Sequence, residues 1–167
     1  PETFTLPLEA TGTYNFNILW GDGNSDYTTA WNDAAVTHTY ASAGMHTISI
    51  SGAIQGWRFD NGGDKLKIYD IKSWGPLRLG NSNGYFYGCS NLTVSATDIL
   101  DLTGTISFRS IFHDCLALTT LNAAGWDISN VTGFRYAFYN CISLTILDAH
   151  TWDTSSVTSF RTAFYNC

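Results

Sequence analysis

Charge is scarce in this chain. Asp, Glu, Lys and Arg make up 13% of its 167 residues, well below the usual quarter, and the balance is acidic, with 8 basic against 14 acidic residues and a net charge of -6. No basic patch relieves that balance, which excludes nucleic acid and an anionic membrane surface as partners. No apolar run approaches the ~18 residues of a membrane span. The start, Pro1-Glu2-Thr3, lacks a positively charged leader with an apolar core behind it, so the chain reads as a mature or trimmed piece. Catalytic signatures are missing too: there is no Ser-x-x-Lys, nucleophile elbow, His-Glu-x-x-His or phosphate-binding glycine loop. His38, His46, His113 and His150 fall at unrelated positions of the pattern described below. The expectation is a protein that is not an enzyme and needs no cofactor.

What is present is apolar and periodic. Apolar residues make up 44% and aromatics 15%, the composition of a folded chain. Cys89, Cys115, Cys141 and Cys167 stand 26 residues apart, and each closes the same block: Phe86-Tyr87-Gly88-Cys89, Phe112-His113-Asp114-Cys115, Phe138-Tyr139-Asn140-Cys141, Phe164-Tyr165-Asn166-Cys167. A fixed period of this length marks units that stack to bury a shared apolar face. Equivalent residues in a stacked ladder lie ~4.8 Å apart with parallel side chains, whereas a disulfide needs converging Cβ atoms ~3.8 Å apart. The thiols are therefore expected free and buried, with pairing between neighbouring units as the alternative.

Within a unit, Leu144-Thr145-Ile146-Leu147 reads as a short strand and Trp152-Asp153-Thr154 as a turn. Val157, Phe160, Ala163, Phe164 and Cys167 then recur at intervals of three, three, one and three, the stripe of a short helix or 3₁₀ turn. The core expected from this pattern is Phe86, Phe112, Phe138 and Phe164, with Phe108, Phe134 and Phe160 beside them, and the four cysteines. The motif Leu-Thr-x-Leu-x-x-x-x-Trp-Asp-x-Ser-x-Val-Thr-x-Phe-x-x-x-Phe-x-x-Cys, as in residues 118–141 and 144–167, resembles the BspA-like leucine-rich repeats of bacterial surface proteins. That resemblance implies a strand-plus-helical-turn solenoid displayed at the cell surface and used in adhesion.

The N-terminal part carries a different signal. Phe4-Thr5-Leu6, Tyr14-Asn15-Phe16-Asn17-Ile18 and His46-Thr47-Ile48-Ser49-Ile50 alternate apolar and polar residues between turn signals such as Gly21-Asp22-Gly23-Asn24, which predicts antiparallel strands. Trp20-Gly21-Asp22-Gly23, His38-Thr39-Tyr40 and Gly44-Met45-His46-Thr47-Ile48 resemble the PKD-type β-sandwich. The expected fold class is thus β-rich α/β. A PKD-like antiparallel, sandwich-like unit spans 1–52, a connecting segment with a degenerate capping repeat 53–89, and a leucine-rich-repeat-like solenoid of three 26-residue repeats 90–167.

Two polar sets are candidates for binding. Arg109, Arg135 and Arg161 repeat in phase, with Asp101, Asp127 and Asp153 eight positions earlier. Either each file alternates with the other or with hydrogen-bonding carbonyls, or the arginines face a carboxylated glycan or an acidic protein. Asp22, Asn24, Asp26 and Asp33 fall at offsets of an oxygen-rich calcium loop, although Tyr27 stands where that loop needs glycine; a strand-connecting turn accounts for the same residues. Asn91-Leu92-Thr93 and Asn130-Val131-Thr132 match the glycosylation pattern and read more simply as turn and strand residues. The function expected is non-catalytic adhesion at an extracellular surface, with a protein or glycan on a host or neighbouring cell as partner. The alternative is a structural subunit joined head to tail into a fibre, because the pattern stops at Cys167 and either continues into further repeats or meets another molecule.

Overall fold

The computed structural model describes residues 2–167. The N-terminal part folds as two small sheets. Strand β1 (Glu2–Thr5) pairs antiparallel with β4 (Thr37–Tyr40). The long β2 (Leu8–Leu19) lies between β3 (Ser25–Thr28) and β5 (Ser49–Trp57), both antiparallel to it. Alternation drives the burial: Tyr14, Phe16 and Ile18 point inward from β2 while Thr13, Asn15 and Asn17 do not. The Tyr40 hydroxyl donates to the Trp20 carbonyl at 3.0 Å and ties the two sheets together.

This unit does not end at residue 52. Strand β5 runs on to Trp57 and pairs in parallel with β7 (Leu77–Arg78), which supplies the fourth strand of the sheet. The alternation fades at Gly52 and Gly56 because the backbone turns to φ 122° and 105° there; a Cβ on Gly52 would sit 2.4 Å from the Asn15 carbonyl oxygen. A self-contained PKD-like sandwich over 1–52 is thus replaced by a sheet completed from beyond that boundary.

The rest of the chain stacks in parallel. Strand β6 (Asp70–Ile71) pairs with β8 (Thr93–Val94), and β9 (Thr120–Asn122) with β10 (Ile146–Asp148). Single bridges join Ser107 to Gly133 and Gly133 to Ser159 at the 26-residue interval. Backbone N–H groups of one segment donate to carbonyls of the next, as from Phe86 to Ile111 (2.9 Å), Phe112 to Ala137 (2.8 Å) and Phe138 to Ala163 (2.7 Å).

The expected leucine-rich-repeat α/β solenoid is not what forms. Among the described residues there is no α-helix; the helical residues are two three-residue 3₁₀ turns, Ala34–Val36 and Lys65–Lys67. The stripe read as a short helix or 3₁₀ turn is instead two β-turns in series. Phe134 accepts from Ala137 N–H and Phe138 from Cys141 N–H, and the third residue of each turn is left-handed: Tyr136 at φ 59° and Asn140 at φ 60°. Ser110 and Asp114 repeat this one segment earlier, Thr162 and Asn166 one later. Left-handed residues every fourth position terminate any α-helix. Two consecutive turns nonetheless reproduce the helical stripe, because both place residues three and four apart on one side.

One core runs through both parts, from Phe4 to Ala163. Phe86, Phe108, Phe112, Phe134 and Phe138 are fully buried, as are Cys89, Cys115 and Cys141. Phe86, Phe112, Phe138 and Phe164 stack with centroids 5.4 to 5.6 Å apart. On the last segment Phe160 and Phe164 remain 45% and 47% exposed, and Cys167 is exposed. All four thiols are free. Three of them donate to the carbonyl 29 residues back: Cys115 to Phe86, Cys141 to Phe112 and Cys167 to Phe138, at 3.0 to 3.3 Å.

Candidate binding face

The paired turns of residues 108–115 and 134–141 share one division of labour: the first residue is a phenylalanine buried in the core, the second lies on the outer side, the third is the left-handed residue, and the fourth is Ala, Ile or Cys buried again; residues 160–167 repeat the order with Phe160, Phe164 and Cys167 exposed. The outward second positions make two parallel columns. One holds Arg109, Arg135 and Arg161, the other Tyr87, His113, Tyr139 and Tyr165. Because the segments are hydrogen-bonded in register, the second column brings ring against ring, stacked for Tyr87–His113 and Tyr139–Tyr165 and edge-on for His113–Tyr139. Tyr87 lies 4.2 Å from His113, His113 4.8 Å from Tyr139, and Tyr139 5.1 Å from Tyr165.

Tyr136 joins the columns. Its ring lies 5.8 Å from Tyr139 and 6.0 Å from His113, and the Arg135 guanidinium sits 5.3 Å over it and donates to its hydroxyl at 3.4 Å. That hydrogen bond, with the Arg135 and Arg161 charges, draws the Tyr136 hydroxyl below the ordinary tyrosine range. Burial moves His113 the other way from a charged site: desolvation lowers its pKa, and Asp114, 3.6 Å away, only partly offsets this. Two buried atoms on this face have no hydrogen-bond partner in the protein, Arg135 Nε and His113 Nδ1.

The acidic file does not neutralise the arginines. Asp101 accepts from the Thr103 N–H and pairs with Arg78 at 2.7 Å, Asp127 holds Ser129, and Asp153 holds Ser155. Hydrogen bonds from these neighbours keep all three carboxyls below the usual carboxylate range. Among the described residues no carboxylate forms an ion pair with Arg109, Arg135 or Arg161. The expected alternation of the two files is therefore absent, and each aspartate instead pins its own loop.

The calcium candidates are not brought together. Asp22 accepts from the Asn24 N–H and faces His38 Nε2 at 2.8 Å, the hydrogen bond to His38 holding its carboxyl well below the usual range. Asp26 accepts from the Trp20 indole at 2.7 Å, and Asp33 caps Ala34–Val36 through the Ala35 N–H. Among the described residues no cluster of three or more His, Cys, Asp or Glu could hold a metal ion.

The tyrosine column was not singled out from the sequence, although its signal lies in the residue after each ladder phenylalanine. His113 shares no phase with the other histidines, yet it is in phase with Tyr87, Tyr139 and Tyr165. No helix is long and apolar enough to cross a membrane among the described residues.

A protein-family model described as "Mycoplasma protein of unknown function, DUF285" matches residues 57–167. No curated protein matches and no solved structure matches. The match is to this family and not to the BspA-like leucine-rich repeats that the Trp-Asp motif resembles; with no α-helix in the stacked segments, that expected membership and its fold are withdrawn.

Proposed function

The chain belongs to the DUF285 family, for which no function is described, and on that premise we propose that it is a non-catalytic extracellular surface protein. Its task is to bind a carboxylated or sulfated glycan, or an acidic protein, on a host or neighbouring cell. The observation that carries this reading is the pair of columns on the turn ladder: Tyr and His rings in contact from segment to segment beside three arginines without ion-pair partners among the described residues. Rigid aromatic area costs little ordering entropy on binding, and planar guanidiniums fork onto carboxylate or sulfate oxygens. Arg135→Glu tests the reading on an array of acidic and neutral glycans, with thermal melting in parallel. Loss of about tenfold or more in affinity for acidic ligands with unchanged melting supports it; unchanged binding, or binding that is blind to ligand charge, sinks it.

A second reading rests on a different observation. The outer face of residues 142–167 carries Ile142, Ile146, Phe160, Phe164 and Tyr165, all between 45% and 59% exposed. A heterologous contact there with another copy would join chains head to tail into a fibre.

A further inference from the structure

Strand β5 pairs with β2 from Ser49 to Gln55, but with β7 only at Ile54 and Gln55. On that second side no strand among the described residues lies beside Ser49–Ala53. The approaching segment explains why. Pro76 precedes Leu77, the partner of Ile54, and has no N–H to give to a ladder. The chain turns away at this point: the Leu77 N–H donates to the Trp74 carbonyl at 3.1 Å, with Gly75 at φ 51°. Asp98 fixes that turn, accepting from the Ser73 hydroxyl and from the Trp74 and Gly75 N–H groups at 2.7 to 3.0 Å. The segment that could have closed the edge is thus held elsewhere.

The edge is open and unguarded. Trp57 N–H donates to the Leu79 carbonyl across the same side at 3.2 Å, and backbone groups alternate sides along a strand, so Ser51 and Ala53 turn their N–H and C=O groups the same way. Ser51, Gly52 and Ala53 are exposed, and Ser49-Ile50-Ser51-Gly52-Ala53 carries neither the charge nor the proline that commonly protects a free edge. Beside the edge the core is incomplete. A cleft of about 800 Å³ lies between the N-terminal sheets and residues 67–77, lined by Ile50, Ile54 and Ile71 but also by Glu2, Asp70 and Lys72. A mixed lining next to a row of free backbone groups calls for an occupant with apolar groups on one side, polar groups on the other and its own N–H and C=O groups between. An acyl chain leaves the edge unpaired, and a saccharide carries no donors and acceptors at strand spacing. We propose that the open edge of β5 takes up an extended segment of a partner protein as an added strand, with apolar residues at every second position entering the cleft against Ile50, Ile54 and Ile71.

A library of random octapeptides displayed on phage and selected on the immobilised full chain tests this without presuming a sequence. Enriched peptides should carry large apolar residues at alternate positions and, made synthetically, should bind in one saturable step by isothermal titration. Ser51→Pro removes an N–H from the open side and leaves the β2 side paired, and should weaken those peptides about tenfold or more. Methylating alternate backbone nitrogens of the peptide makes the same test on the unaltered protein. Only every second N–H of an added strand faces β5, so one phase of methylation should abolish binding and the other be tolerated. The methylated pair decides alone if near-ultraviolet circular dichroism shows that Ser51→Pro has lost native packing. On saturation, amide exchange should slow at Ser51 and Ala53. No enrichment, enriched sequences without alternation, or equal binding of the two methylated phases overturns the assignment. So does a dimer that forms without peptide and is lost in Ser51→Pro, which would give the edge to a second copy of the chain.

Discussion

At the scale of single residues, His113 and the cysteines make the sharpest tests, because burial sets the ionisation of both. Desolvation lowers the His113 pKa, so the fold prefers the neutral ring. As pH falls below the unfolded value of about 6.5 the unfolded chain takes up its proton first, and stability is lost progressively toward the lower folded pKa; above 6.5 the group contributes no slope. His113→Tyr, which copies Tyr139 in the next segment, should therefore gain stability over the natural chain only on the acid side, as measured by urea midpoints between pH 5 and 8. A difference that is constant across that range would contradict the burial argument. Burial also pushes the Cys89 and Cys115 thiols upward and Cys141 up to about 12, whereas Cys167 is exposed. Only a thiolate attacks an alkylating reagent. Mass spectrometry after iodoacetamide at pH 8 should find modification at Cys167 alone in the native protein and at all four cysteines in guanidinium.

At the scale of the element, the paired turn decides what the chain becomes. Phe138 stacks between Phe112 and Phe164 at 5.6 and 5.4 Å and is fully buried. Truncating it leaves a cavity that backbone hydrogen bonds on both sides keep from closing. Phe138→Ala should cost about 3 to 5 kcal/mol, and should lower the melting of the neighbouring segments together, read as one cooperative transition by calorimetry. This ladder was legible in the sequence as far as period and inward residues go, because burial depends on which side chains recur and not on the backbone between them. The backbone itself was misread. Phe-x-x-Ala-Phe-x-x-Cys gives the same stripe for a helix and for two turns, and the discriminating residues are Gly84 and Gly88 in one copy, with Asp114, Asn140 and Asn166 at the Gly88 position later. All are left-handed, and Gly, Asn and Asp are the types that tolerate that region. Tyr136 and Thr162 hid the same geometry behind side chains that rarely adopt it. The Arg and Tyr columns were half legible: the arginines by phase, the tyrosines only once the second position of each turn was known to face outward.

At the scale of the whole molecule, the question is how the last segment meets its surroundings. Stacking satisfies each segment through the next: Phe134 N–H donates to Ser159, Tyr136 to Arg161 and Asn140 to Tyr165. The side chains continue the same relay, since Asn140 donates to Asp114 at 2.8 Å and Asn166 to Asn140 at 2.6 Å. Asn166 Oδ1 is thus offered outward in the position where Asn140 Oδ1 accepts. With Phe160 and Phe164 half exposed beside it, the outer face combines apolar area with directional polar groups, the combination that fixes register in a stacked interface. A net charge of -6 opposes association at low salt, so screening should favour it. Sedimentation velocity on the purified chain should then show species larger than the monomer that grow with protein concentration and with salt from about 0.01 to 0.15 M, where the screening length shrinks from about 30 to 8 Å. Electron microscopy of the same samples should show filaments of one subunit repeat. Phe164→Glu places a charge in the centre of the face without touching the buried core below Phe138, and should abolish those species while leaving acidic-glycan binding by Arg135 in place. A monomer at every concentration and salt would reject the fibre and leave the adhesive face as the single reading of the ladder.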